Sequence, residues 1–327
     1  MDTFLQQLVN GLTAGSVYAV VALGYTMVYG IIQLINFAHG EVVMIGAMVA
    51  FTVINALAPS GMPPLAVVLI GTGAAIPVCV LVGYSMERLA YRPLRGAPRL
   101  APLITAIGVS IILQHLAMLV WSRNVLAFPQ IIPITTFNVF GAIITGVQLA
   151  IVGICVTMMA ALAFLVYRTR LGTAMRATAQ NPQVAGLMGI DVNRVIAATF
   201  VIGAGLGAVA GVLFGTYYGV AQYTMGSILG LKAFSAAVLG GIGNIPGAML
   251  GGVVLGLVEA LGAGYVGDFT DLCQYGWLAG SIQACEGGGH FILFGSNYQD
   301  VIAFLVLILV LVFRPSGLLG ERVGDRA

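Results

Sequence analysis

Apolar residues in this chain run in long blocks, and the polar ones between them gather in a few connections. Blocks bounded by Pro, Gly or charge extend over Phe4 to Ile31, Glu41 to Ala58, Leu65 to Leu89, Ala101 to Trp121 and Ala142 to Tyr167. A second group covers Val195 to Gly219, Ser227 to Leu239, Pro246 to Gly264, and Tyr298 to Phe313. Most of these reach across a hydrocarbon core of about 30 Å at a rise of about 1.5 Å per residue, and none shows the alternation of an outer-membrane barrel strand. The Ser227 to Leu239 block reaches only about 20 Å, which predicts a half-helix or re-entrant element beside a cavity. The pattern predicts an all-α polytopic membrane protein of about eight or nine transmembrane helices, one transmembrane domain over residues 1–327.

Composition sharpens this. Of 327 residues 60% are hydrophobic and 7% charged, too few charges to cover a water-facing globule. A net charge of +2 with no basic run offers no footprint for nucleic acid. No Lys or Arg precedes Arg88, so no cleaved signal is expected. Lys232 is the single lysine and GxxxxGK[ST] is absent, so this chain is not expected to bind ATP by that route. With three histidines, no HExxH and no GxSxG, the sequence presents no hydrolase set, no metal cluster and no catalytic residues. Transport is the default reading.

Arginine placement predicts sidedness. Arg88, Arg92, Arg95 and Arg99 share one connection, Arg168, Arg170, Arg176 and Arg194 another, and Arg314, Arg322 and Arg326 the tail, eleven of thirteen positive residues. The spans put all three on one face, cytoplasmic by the positive-inside rule. The N-terminus then lies outside and the C-terminus inside, if the short element crosses.

Glycine is about twice its usual share, with 45 residues. Gly203, Gly207, Gly211, Gly215 and Gly219 repeat at i, i+4 along one span, as small residues do where helix backbones approach closely. Fold-forming packing is favoured over a direct substrate role. Gly11 with Gly15, and Gly247 with Gly251, repeat the spacing in shorter form.

Two segments interrupt the apolar pattern and are candidates for a translocation path. One is INFAHGE, with Asn36, His39 and Glu41. The other is KAFSAAVLGGIGNIPGA, with Lys232, Gly240, Gly241 and Asn244. Broken helices at membrane depth mark transporter sites. The competing reading makes Asn36, His39 and Glu41 polar groups at the start of a helix on the inner interface, and lets Glu259 snorkel from its span.

Residues 168–194 form a long cytoplasmic connection that reads as ordered. Asn181 and Pro182 are an N-cap and first-turn pair, and Gly189 is a suitable stop. A short amphipathic helix is expected there, with Ala177, Ala179, Ala185 and Gly186 small enough to seat in a groove of another protein. A helix lying in the headgroups is the alternative, although the Trp and Phe of interfacial anchors are missing.

The stretches GLTAGSVYAVVALGYTMVYGIIQLINFAHGE, MERLAYRPLR, GTAMRATAQNPQVAGLMGIDVNRVIAATFVIGA and KAFSAAVLGGIGNIPGAMLGG resemble the inner-membrane permeases of branched-chain amino acid ABC importers, in the LivH-type branch. The resemblance runs from Leu5 to Gly320. It implies a bacterial inner-membrane location, a second homologous permease, two ATPase subunits that bind the ATP, and a periplasmic binding protein delivering branched-chain or related amino acids. It also implies that Arg176 to Gly189 couples to the ATPase. Related permeases carry amides or urea, which remains an alternative, as does a stand-alone secondary transporter or a subunit without transport. The chain departs from the family between Gly264 and Tyr298, where the connection is longer and forms a periplasmic insertion, 265–297.

That insertion holds Cys273 and Cys285. On an oxidising face a disulfide between them can persist, while Cys79 and Cys155 stay reduced within spans. Two free thiols are the alternative.

Overall fold

The computed structural model describes residues 2–320, apart from 99, 134, 140, 272 and 274–291. Eleven α-helices are described: α1 Asp2–Ile32, α2 His39–Leu57, α3 Pro64–Met86, α4 Leu100–Val120, α5 Gly146–Arg168, α6 Arg170–Gln180, α7 Pro182–Leu187, α8 Val192–Tyr218, α9 Met225–Gly240, α10 Ile245–Phe269 and α11 Gln299–Phe313. Seven are long and apolar enough to cross a membrane, and α9 and α11 are shorter apolar helices. The protein is an all-α polytopic membrane protein.

Two small antiparallel pairs accompany the helices. One joins β1 (Leu126–Ala127) to β4 (Val220–Ala221), with Leu126 opposite Ala221. The other is a hairpin of β2 (Thr136–Val139) and β3 (Ala142–Thr145). The expected span beginning at Ala142 is therefore corrected. Ala142 to Thr145 pair as a strand, and the helix starts at Gly146 because Thr145 caps it. The Thr145 hydroxyl accepts from Gln148 N at 3.2 Å while Gln148 Oε1 accepts from Thr145 N at 2.9 Å, a reciprocal capping box.

Burial separates the helices into an inner and an outer set. Of the apolar windows, 78% of α1 and 61% of α8 are buried, against 11% of α4. Leu100, Ile104, Ile112 and Leu119 of α4 are exposed, as lipid-facing residues are. Small residues let the inner helices touch. A Cβ added at Gly15 would sit 2.9 Å from Gly252 O and from Val253 Cα, so α1 and α10 meet backbone to backbone. Gly211 meets α2 in the same way, with Ala47 N 2.9 Å from its missing Cβ, and Gly46 faces Ala208 Cα at 2.7 Å.

The arginine-rich connections gather at one end of the bundle. Arg95 Nη1 donates to Asn193 Oδ1 at 2.5 Å, tying the α3–α4 connection to the start of α8. Leu318 N and Leu319 N donate to Leu239 O and Gly240 O at 2.8 and 3.0 Å, bringing the tail after α11 to the α9–α10 turn. We call this the basic face. Arg99, Arg322 and Arg326 lie outside the described residues.

Candidate functional site

Two helices begin inside the bundle. α1 ends at the basic face, where Gln33 takes a positive φ of 51° and donates its N–H to Tyr29 O at 2.8 Å. Residues 33–38 then turn back, and α2 starts at His39. The His39 ring packs against Gly24 of α1, where a Cβ would collide with it, and lies 3.8 Å from where a Cβ would stand on Gly203 of α8. Gly203 is about 17 Å along α8 from its start at the basic face, so α2 begins at membrane depth.

The second break comes from the opposite face. α8 ends at Tyr218, and Gly219, at φ 69°, terminates it in the left-handed conformation that glycine adopts without strain. Residues 219–224 dip inward, and α9 begins at Met225. Neither Ala38 nor Thr224 caps its helix with a side chain. The two starts touch: a Cβ at Gly40 would lie 2.9 Å from Gly230 Cα, and one at Gly226 would lie 2.7 Å from Gly40 O.

Glu41 sits at this junction and is 0% exposed. Its Oε1 accepts hydrogen bonds from Ser227 Oγ of α9 at 2.8 Å and Ser110 Oγ of α4 at 3.1 Å. Gln114 Nε2 donates to Ser227 Oγ at 3.3 Å. Glu41 Oε2 is buried with no hydrogen-bond partner among the described residues. The converging N-terminal ends supply partial positive charge that suits a carboxylate there. Ser110, Gln114 and Ser227 are half-buried, so the cluster reaches the outer surface of this chain between α4 and α9. Asn36 is also buried, its Oδ1 accepting from Tyr91 Oη at 2.7 Å. Asn36, His39 and Glu41 are thus all buried, His39 and Glu41 in the first turn of α2 and Asn36 against Tyr91.

Lys232 is separate. Its ammonium lies 2.7 Å from Glu259 Oε1 of α10 and 2.8 Å from Asp300 Oδ1 of α11, and 5.6 Å from the Tyr18 ring centroid. Tyr18 Oη donates to the same Glu259 oxygen at 3.2 Å. Glu259 does not snorkel; it is 6% exposed and ion-paired. The other path candidates on this segment, Gly240, Gly241 and Asn244, fall about 20 Å along α9 from Ser227. Gly241 has φ 107°, and a Cβ there would meet Gly320 N at 2.6 Å. Asn244 Nδ2 donates to Leu319 O at 2.6 Å. These three form a clasp between the α9–α10 turn and the tail. The break at depth precedes α9 and does not follow it.

The connection before α8 holds two helices where the sequence predicted one. Asn181 ends α6 and caps α7, its Oδ1 accepting from Gln183 N at 3.0 Å and Val184 N at 3.1 Å, with Pro182 in the first turn. Gly189, at φ 86°, and the Ile190 N to Ala185 O bond at 3.1 Å close it. Ala185 faces inward at 3% exposed, whereas Leu187 and Met188 are 87% and 79% exposed. Gly186 is open to solvent, with no atom within 4 Å of an added Cβ. The outward tip is therefore apolar, made by larger side chains than the small residues the sequence singles out. Arg176 turns back to donate to Val166 O at the end of α5.

In the glycine ladder, Gly207 and Gly211 face α2, Gly203 faces Gly24 and His39, and Gly215 faces the Phe128 ring. Gly219 is the helix cap described above and not a rung. Cys79 and Cys155 are free and buried, and Cys273 is disulfide-bonded. Cys285 lies outside the described residues. Across the connection between α10 and α11, Leu293 N donates to Thr270 O at 3.1 Å and Phe294 N donates to Thr270 Oγ1 at 3.1 Å.

Residues 7–311 match the family described as the branched-chain amino acid transport system permease component. The chain is 48% identical over 323 residues to the high-affinity branched-chain amino acid transport system permease protein BraD of Pseudomonas aeruginosa, covering 97% of this chain and 96% of that protein. Identity to the permease protein LivH of Escherichia coli strain K12 is 44% with the same coverage. The autoinducer 2 import system permease protein LsrC of Escherichia coli strain K12 / DH10B is 26% identical over 247 residues, 75% of this chain and 65% of that protein. No solved structure matches the chain.

Proposed function

Because the chain belongs to the permease-component family of branched-chain amino acid transport systems, we propose that it is one membrane subunit of an ATP-driven importer for branched-chain or similar apolar amino acids. The observation that carries the reading is Glu41, a buried carboxylate with one free oxygen where the first turns of α2 and α9 meet. A buried carboxylate oxygen left without a partner costs free energy even where the other oxygen is hydrogen-bonded, so a purely structural role is poorly rewarded. The free Oε2 suits the ammonium of an amino acid, and the half-buried Ser110, Gln114 and Ser227 supply polar surface at a depth where lipid supplies none.

A second, homologous permease covers the α4–α9 face and completes the path. Two ATPase subunits bind the ATP, and a binding protein delivers substrate at the face opposite α6 and α7. The basic face is cytoplasmic by the positive-inside rule, which puts the N-terminus in the periplasm and the C-terminus in the cytoplasm of a bacterial inner membrane. The α7 tip, with Leu187 and Met188, seats in the ATPase, and Arg176, Asn181, Pro182 and Gly189 hold the tip in position.

Reconstitution tests this. The purified assembly in proteoliposomes is expected to take up labelled leucine only with the binding protein outside and ATP inside. Uptake of urea or an amide in its place would move the substrate class, and uptake driven by a proton gradient without ATP would overturn the reading.

A further inference from the structure

A cleft of about 450 Å³ opens at the basic face between the end of α3 and the start of α8. Its rim carries Arg88, Arg92 and Arg194, and its floor is Tyr84, Ala198 and Val201. Two carboxylates also line it, and both are already matched. Glu87 is buried against Arg95, which approaches it closely. Asp191 Oδ2 pairs with Arg194 Nε at 3.0 Å, and Asp191 Oδ1 caps α8 by accepting from Arg194 N at 3.1 Å. Among the described residues Arg88 donates only to Tyr84 Oη, at 3.1 Å. Arg92 has no hydrogen-bond or ion-pair partner among the described residues. Burial holds the Arg95 guanidinium below its ordinary value, with Glu87 pulling it back up and the positive charge of Arg92 lowering it further.

Two guanidinium groups therefore face one cleft with no carboxylate left for them. They stand four residues apart where α3 widens into a π turn over Glu87–Tyr91, a distortion often found at functional sites. Below them the surface changes character. Leu81 and Tyr84 of α3 are exposed, Ala197, Ala198 and Val201 of α8 line the cleft, and at Gly205 an added Cβ would meet nothing within 4 Å. This apolar surface of two membrane helices adjoins a pair of arginines that have no carboxylate partner among the described residues.

We infer that the cleft between α3 and α8 is a binding site for an anionic phospholipid, with its phosphodiester held by Arg88 and Arg92 and an acyl chain laid along Ala198 and Val201. The guanidinium fork matches phosphate oxygens bidentately. An apolar groove continuous with the charged rim distinguishes a lipid from free phosphate, which uses only the rim. The inference rests on the cleft and not on what the transporter carries.

The full chain, purified in whatever assembly it forms, is placed in phosphatidylcholine nanodiscs with and without phosphatidylglycerol, and bound lipid is counted by native mass spectrometry after detergent washing. About one phosphatidylglycerol per chain is expected to survive washing, and a rise in the thermal midpoint should accompany it. Arg88→Gln/Arg92→Gln should retain less than a tenth as much, and Ala198→Phe, which fills the groove and leaves both arginines, should also lose it. Arg168→Gln/Arg170→Gln, on the same face outside the cleft, should retain lipid as wild type does. Should the double glutamine variant fail to fold, Ala198→Phe and Arg92→Gln alone decide. Equal retention in the cleft variants, equal loss in the Arg168→Gln/Arg170→Gln control, or equal protection by inorganic phosphate in phosphatidylcholine alone would each overturn the site.

Discussion

Glu41 Oε1 and Ser227 Oγ lie 2.8 Å apart, and they come from helices that enter the bundle from opposite faces. The bond joins the first turn of α2 to the first turn of α9. Removing it is expected to weaken transport before it weakens the fold, since the Ser227 hydroxyl is half-buried and water or a neighbouring group can replace part of it. A hydrogen bond to a charged group contributes about 1.5–3 kcal/mol, so Glu41→Gln should lower leucine uptake by roughly ten- to a hundredfold while Ser227→Ala costs less. Uptake assays on protein of wild-type yield check this; unchanged uptake in Glu41→Gln would remove Glu41 from the path.

Gly211 has no space for a side chain against α2. Gly211→Ala should destabilise by about 1–3 kcal/mol through overpacking, and Gly211→Leu should prevent assembly. Gly205→Ala, on the same helix with open space beside it, serves as the comparison and should be neutral. Thermal midpoints in detergent separate the two, and equal midpoints for Gly211→Ala and Gly205→Ala would contradict the close contact.

Lys232 stands between Glu259 and Asp300, and loss of one partner of a buried ion pair is costly. Lys232→Met should destabilise by about 3–5 kcal/mol, and adding Glu259→Leu should recover most of it. Recovery is the diagnostic measurement: a double variant no more stable than Lys232→Met would mean that the lysine acts other than by neutralising Glu259.

At α7, Leu187→Asp should leave the permease folded but reduce co-purification of the ATPase subunits at least tenfold, because Leu187 is exposed and makes little contact with its own chain. Ala185→Asp should instead lower folded yield, since Ala185 is buried. If both variants keep the ATPase, contact lies elsewhere on the basic face.

Unreduced protein digested after alkylation should yield Cys273 linked to Cys285, with Cys79 and Cys155 labelled only after denaturation. Labelled Cys273 in material from an oxidising compartment would defeat the pairing. The loop closed is short, and its cross-link is expected to contribute about 3 kcal/mol.

The helices were legible because a bilayer demands continuous apolar blocks; the first break was legible as a polar interruption, and the second only through the shortness of the Ser227 to Leu239 block. Their depths were not. INFAHGE and the residues before Met225 carry few charges, and only packing of His39 against Gly24 and Gly203 reveals how far α2 retreats from the basic face. The Lys232 to Ala248 segment read as a broken helix at depth because its glycines are conspicuous; they serve a turn clasped by the tail through Leu318 and Leu319, a partner about eighty residues away that local pattern cannot supply. Ala142 to Thr145 read as helix because apolar β-branched residues suit a span or a strand equally. Ala185 is small because it is buried, whereas the exposed tip of α7 is made by Leu187 and Met188, whose hydrophobicity blends with the spans around them.

Where α2 meets α9, Gly40 touches Gly226 and Gly230 through backbone alone. Side chains in a contact act as springs, bending through rotamers as neighbours shift, and what an added Cβ at Gly40 would meet is backbone alone. The junction behaves as a hard stop. The two helix starts are either seated or apart, with no half-compressed arrangement between, so a passage opened there switches between two positions and cannot be narrowed by degrees.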